Sequence, residues 1–140
     1  MRRRKLTWAL LLAGPIFIAG NAMAEAIPVE LRKNGQGWQL LRGGEPYFIK
    51  GAGGSGSLGQ LAAAGANSIR TWSTDGVGDI LDNAHALGLT VTVGIWLGHE
   101  RHGFDYNDEE QVLEQLERAR EAVLRHRDHP AVLLWGIGNE

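Results

Sequence analysis

The distribution of apolar residues changes period twice along this chain, and each change marks a different kind of structure. Residues 28–33, 37–42 and 46–50 read as three short strands, separated by Asn34-Gly35 and Gly43-Gly44, turn signals of the kind that close hairpins. From Phe48 onward strands and helices alternate. Residues 47–50 lead into a glycine-rich bend and residues 58–66 suit a short helix. Residues 67–72 form a strand, residues 77–87 a helix ended by Gly88, and residues 89–96 a third strand rich in β-branched side chains. A polar loop over 98–107 follows, then the longest helix, with Asp108 as its cap and Glu109 and Glu110 near its positive end. Val112, Leu113, Leu116, Ala119, Val123 and Leu124 recur at helical spacing and predict one apolar face. Pro130 stops that helix, and the run 131–135 is a buried strand too short to be a helix.

Strands alternating with helices predict an α/β fold with a parallel sheet and right-handed crossovers. That rhythm alone does not separate an open sheet from a closed barrel. A closed barrel takes about 250 residues, so in these 140 residues a barrel pattern amounts to its first half, strands one to four.

The N-terminus has a different character. Arg2, Arg3, Arg4 and Lys5 precede an apolar stretch over residues 6–20, and Ala22-Met23-Ala24 supplies a small-x-small cleavage pattern. Residues 1–24 are therefore expected to be a signal peptide cut after Ala24, directing a secreted or periplasmic product. The apolar stretch is shorter than the roughly 20 residues of a spanning helix, so no membrane association is expected after cleavage. With the four basic residues at positions 2–5 removed, 10 basic residues face 16 acidic ones. That balance argues against nucleic acid as a partner. There is no Cys, which excludes disulfides and a lipid-modified cysteine. The organisation expected is a signal peptide over 1–24, a short hairpin segment over 25–45 and a barrel half over 46–140.

Three places carry candidate chemistry. Gly51-Ala52-Gly53-Gly54-Ser55-Gly56 fits G-x-G-x-x-G between a strand and a helix, with Asp75 downstream as the ribose-binding acid a nicotinamide-dependent oxidoreductase would need. The plainer reading is a strand-to-helix bend whose glycines permit close backbone approach. Gly98-His99-Glu100-Arg101-His102 has the spacing H-E-x-H, one residue short of the zinc helix pattern H-E-x-x-H, so no metal is expected. His99, Glu100 and His102 lie beyond the third strand, where loop residues contact substrate, although loop polarity alone would put them there too. His126 and His129, near a helix end, read as solvated or capping residues.

The third place is Asn139-Glu140, delivered by the last strand. Active sites of strand-helix barrels sit at the C-terminal ends of the strands. A carboxyl group there, walled by Trp135 and Ile137, can have its pKa raised enough to act as a general acid. In a regular strand Asn139 and Glu140 would face opposite ways; Gly136 and Gly138 mark a bulge or a close approach, and a bulge would let both address one pocket.

Residues 48–51 (Phe-Ile-Lys-Gly), 65–71 (Gly-Ala-Asn-Ser-Ile-Arg-Thr) and 129–140, ending Trp-Gly-Ile-Gly-Asn-Glu, resemble the catalytic TIM barrel of glycoside hydrolase family 2. More broadly they are similar to the clan of retaining glycosidases that place Asn-Glu after barrel strand four. The resemblance covers residues 46–140, without the N-terminal sandwich and immunoglobulin-like domains of that family. It implies a double displacement on O-glycosidic, β-linked bonds of oligo- or polysaccharides, with Glu140 as acid/base, Asn139 on the sugar 2-hydroxyl and Arg70 orienting the nucleophilic carboxylate. No cofactor is implied. Trp72 and Trp96, following strands two and three, are placed either to offer sugar faces a platform or to pack in the core. The nucleophile in such enzymes is a Glu after strand seven; Asp75, Glu100 and Asp105 are the other acids at strand ends, and none matches it. The chain is thus expected to be an incomplete, inactive fragment. The alternative to a glycosidase is a non-catalytic carbohydrate-binding barrel remnant.

Overall fold

The computed structural model describes residues 25–35 and 37–138. The expected signal peptide, Asn139 and Glu140 lie outside the described residues. Two sheets organise the chain. An antiparallel sheet of β1 (Val29–Asn34), β2 (Gly37–Arg42) and β3 (Glu45–Pro46) comes first, in the order β1-β2-β3. Four parallel strands follow, β4 (Gly51–Gly53), β5 (Ser68–Arg70), β6 (Thr90–Ile95) and β7 (Val132–Ile137), in the order β4-β5-β6-β7. The connections are α1 (Leu58–Ala63), α2 (Val77–Ala86) and α3 (Glu109–His126). Sequential order in a parallel sheet is the arrangement of successive barrel units. No helix among the described residues is long and apolar enough to cross a membrane.

The core lies between the parallel sheet and its helices. Ile69, Val91, Val93 and Ala131 meet Leu58 of α1, Val77, Leu81 and Ala84 of α2, and Leu89. Val91 and Val93 are fully buried, as are Leu81 and Ala84 four to seven residues into α2. Period two on the strand and period 3.6 on the helix converge on one layer. Gly88 takes φ 71° beyond the end of α2, a left-handed turn open to glycine at no steric cost.

The helix α3 follows expectation at its start and departs from it along its length. Asp108 caps it: one carboxylate oxygen accepts from the Glu110 and Gln111 backbone N–H groups at 3.0 and 3.2 Å, the other from Gln111 Nε2 at 2.7 Å. The Gln111 side-chain bond, then that residue's backbone bond, hold the Asp108 carboxyl below its ordinary pKa. The expected single apolar face is split. Val112, Ala119 and Val123 are half-buried, whereas Leu113, Leu116 and Leu124 are exposed. The apolar stripe is wider than the sheet contact, so its second edge faces outward.

The largest departure concerns the first strand of the parallel sheet. Residues 47–50 form no strand; the strand is Gly51–Gly53, inside the glycine-rich motif. Asn67 explains the shift. Its side-chain carbonyl accepts from Lys50 N–H at 2.8 Å, its amide donates to the Phe48 carbonyl at 2.9 Å, and its backbone N–H donates to the Lys50 carbonyl at 2.8 Å. One side chain therefore takes up hydrogen bonds that a neighbouring strand would supply. The glycines suit a strand because of what lies beside them. A Cβ on Gly51 would collide with the Ser68 carbonyl, and one on Gly53 would press on the Trp72 ring at 3.0 Å. With Gly51 and Gly53 inside a ladder and only six residues in α1, the chain lacks the turn and long helix of a dinucleotide fingerprint.

The antiparallel sheet is tied to the N-terminal end of the parallel one. Arg42 donates to the Pro130 carbonyl, just before β7, at 3.0 Å. The Tyr47 hydroxyl donates to the Asn67 carbonyl at 2.9 Å and lies 3.1 Å from Thr90 Oγ1. Thr90 Oγ1 is also 3.0 Å from Ser68 Oγ, so the feet of β5 and β6 share one polar knot. Asn67→Ala should remove two side-chain hydrogen bonds at this knot and cost about 1–3 kcal/mol. Urea unfolding of the variant beside the parent checks this, with Asn34→Ala, at the exposed hairpin tip, expected to change little.

Candidate functional site

The C-terminal ends of β5, β6 and β7 and the loops beyond them form one face of the molecule. Gly94 on β6 sets its shape. A Cβ there would collide with the Thr71 carbonyl and with the Trp72 backbone, so the chain leaving β5 crosses directly against β6. The Gly94 N–H donates to Thr71 Oγ1 at 3.1 Å, replacing a ladder bond with a side-chain bond.

That crossing places Trp72 and Arg70. The Trp72 ring lies against Gly53, and the Arg70 guanidinium stands over the Trp72 ring at 4.7 Å from its centroid. This is a cation–π pair, which favours Arg because its planar group stacks on the ring. Arg70, Thr92 and Leu134 line a shallow cavity of about 390 Å³ with Gly51, Gly53 and Ser68, on the face of the sheet turned away from the helices. Trp72 is 44% and Trp96 48% exposed, so neither is a core residue.

The loop after β6 gathers the second group. His99 sits edge-on between Trp96, at 5.5 Å between ring centroids, and His102, at 5.7 Å. Glu100–His102 form a single 3-10 turn, which closes with Gly103 at φ 91°. Gly98, His99, Glu100 and Tyr106 line a cavity of about 510 Å³ with Ile137 and Gly138, the last residues before Asn139-Glu140. A second cavity on this face, about 280 Å³, lies between Asp75, Trp96, Phe104 and Arg118. Ser73 donates to the Asp75 carboxylate at 3.1 Å, which leaves Asp75 holding its own turn.

The strand β7 corrects one expectation. The irregularity in its pairing with β6 falls between Val91↔Val132 and Thr92↔Leu134, where Leu133 is the extra residue, and not at Gly136. Gly136 pairs regularly with Gly94, while Gly138 takes φ 75° and donates its N–H to the Ile95 carbonyl at 2.9 Å. Trp135 packs against the helix-side core and Ile137 is exposed, so the two do not form one wall. Asn139 and Glu140, assigned from the sequence, lie outside the described residues. Of the other assigned residues, Arg70 joins Trp72 at the end of β5, and Trp96 joins His99, with Glu100 beside it, in the loop after the adjacent strand β6.

His126 and His129 belong to the opposite end. His129 Nδ1 accepts from Ala131 N–H at 3.1 Å, so its proton sits on Nε2, which donates to Asp82 at 3.2 Å. His129 thereby ties the start of β7 to α2 and is not a solvated residue. Burial, then the Arg125 and His129 charges, lower the His126 pKa. Among the described residues no group of three or more His, Cys, Asp or Glu side chains is arranged to hold a metal ion.

A parallel sheet in sequential strand order, with polar and aromatic residues gathered at its C-terminal ends, is compatible with part of a TIM barrel. Residues 78–140 match the family model described as Glycosyl hydrolases family 2, TIM barrel domain, consistent with a partial family 2 catalytic domain. The match points to glycosidase activity in general. No curated protein matches the chain at a significant level. The residues that sequence reasoning missed are Gly94, Phe104 and Tyr106. A lone glycine in a β-branched run was the available signal for the first.

Gly94→Ala should destabilise the fold by about 3 kcal/mol or more through backbone collision. Gly136→Ala, whose Cβ would lie 3.9 Å from its nearest neighbour, should be tolerated. Paired thermal melts check the contrast.

Proposed function

We propose that this protein is an exported glycoside hydrolase that cleaves β-linked O-glycosidic bonds with retention of configuration, using Glu140 as acid/base. The observation that carries the reading is positional. Glu140 comes three residues after the end of β7, the fourth strand of a sequentially ordered parallel sheet, within the segment matched to the family 2 barrel.

Glu140 protonates the glycosidic oxygen as the bond breaks and later takes the proton from the attacking water. Asn139 holds the sugar 2-hydroxyl, a contact that strengthens as the ring gains oxocarbenium character. Arg70 orients the nucleophilic carboxylate and keeps it ionised. That carboxylate must stand about 5–5.5 Å from Glu140, and none of Asp75, Glu100 and Asp105, the other acids at strand ends, matches it. Trp72 and Trp96 offer exposed ring faces to the apolar side of a sugar, and His99 and Glu100 are within reach of its hydroxyls. The substrate is an oligo- or polysaccharide, and no cofactor takes part.

Glu140→Gln in the intact protein should lower kcat on an unactivated β-glycoside by about 10²–10⁴-fold. The loss should be smaller on a glycoside whose phenolate leaving group needs no proton. Steady-state kinetics on the two substrates check this, and equal losses on both would remove Glu140 from the acid role.

A further inference from the structure

The strand β1 forms one edge of the antiparallel sheet, and among the described residues only β2 pairs with it. Its register with β2 runs unbroken from Val29↔Arg42 to Asn34↔Gly37, and no proline interrupts it. Val29 is half-buried and the rest of the strand is exposed. An open edge of that kind is a template for a further strand unless charge, a bulge or a proline blocks it. Two hydrogen bonds fix the direction of its free backbone groups. Gly43 N–H donates to the Pro28 carbonyl at 2.8 Å, and Tyr47 N–H donates to the Leu40 carbonyl at 2.8 Å. Pro28 therefore faces β2, whereas Leu40, which stands opposite Leu31, faces β3. Alternation along an antiparallel strand then aims the N–H and C=O groups of Val29, Leu31 and Lys33 outward.

We propose that this edge pairs antiparallel with β1 of a second copy of the chain, with Leu31 on the twofold axis. Charge selects that register. With Leu31 opposite its counterpart, Glu30 of each copy stands opposite Arg32 of the other, and Val29 opposite Lys33. Because only alternate residues present outward groups, the register slips by even steps alone. A slip of two residues sets Glu30 against Glu30 in one direction and Arg32 against Arg32 in the other, and like charges directly opposite are destabilising. The favoured register exchanges about six backbone hydrogen bonds. Glu30 and Arg32 already lie 3.0 Å apart on one face of the strand, so two such pairs meet as a ring of alternating charge. On the other face Leu31 stands opposite Leu40, with Trp38 beside it, and both Leu31 and Trp38 are exposed. Pairing continues that apolar row from one copy into the next. The arrangement is isologous and closed, as in most homodimers. It lies apart from the face that carries Arg70, Trp72 and Trp96, so it stands whether or not the glycosidase reading does.

Sedimentation velocity of the intact protein tests the pairing. One short strand makes a small interface, so the parent should dimerise with a dissociation constant on the order of 10 µM. Glu30→Lys and Arg32→Glu each set like charges opposite one another, and each alone should weaken self-association roughly tenfold. Mixed, the two variants restore opposite charges at both positions and should form a heterodimer close to the parent in affinity. Leu31→Pro removes an outward N–H that β2 does not use, a place where an edge strand tolerates proline, and should abolish the dimer. The charge variants alter exposed side chains and decide the matter even if the proline variant fails to fold. A parent that stays monomeric up to about ten times that constant, or a dimer indifferent to charge reversal and to mixing, overturns the pairing. Protection of the Leu31 amide from hydrogen exchange in a monomeric parent also overturns it, and assigns the edge to another segment of this chain.

Discussion

The close crossing of the chain over Gly94 is the constraint on which the site face depends. Thr71 and Trp72 occupy the volume where any other residue at position 94 would carry its Cβ. Thr71 Oγ1 then satisfies the Gly94 N–H that the crossing would otherwise leave unpaired. Because the backbone passes so low, Trp72 comes down onto Gly53 and its ring lies under the Arg70 guanidinium. Two glycines, on the strands that flank β5, thus set the position of one aromatic and one cation. A collision with backbone atoms cannot be relieved by a rotamer change, which makes the arrangement rigid.

The foot of the sheet is fixed by different means. There the agents are polar side chains: Asn67 holding residues 48–50, Tyr47 joining Asn67 to Thr90, Arg42 reaching Pro130, and His129 bridging Ala131 and Asp82. Each reaches backbone or polar groups at the start of a strand, so the strands share a level at one end and can spread functional residues at the other. This division between a stabilising end and a chemical end suits a barrel enzyme.

Much of the fold was legible in the sequence because two periods write themselves plainly. The β-branched run of β6, the Asp108 cap of α3 and the glycine after α2 each have a local physical cause. Elements decided by tertiary packing were not legible. Nothing local says that Gly51–Gly53 is a strand, since its glycines answer to Ser68 and Trp72, residues far along the chain. The irregularity fell at Leu133 because register is set by pairing with β6, whereas Gly136 and Gly138 had marked a bulge or a close approach further along. Of the candidate site, residue types and strand ends were readable: Arg70, Trp72, Trp96, His99 and Glu100 all lie on the expected face. Their division into two groups was not, because it depends on ring contacts that only the folded loops create. Tyr106 escaped notice because its placement comes from contacts with Phe104 and Gly98 that only the folded loop creates.

The central claim is that this face performs a double displacement at a glycosidic bond. Proton NMR of the first sugar released from a β-aryl glycoside by the intact protein tests it directly. The account predicts that the β-anomer appears first and equilibrates to the α-anomer by mutarotation. Initial release of the α-anomer would contradict a retaining mechanism and the roles assigned to Glu140 and Arg70.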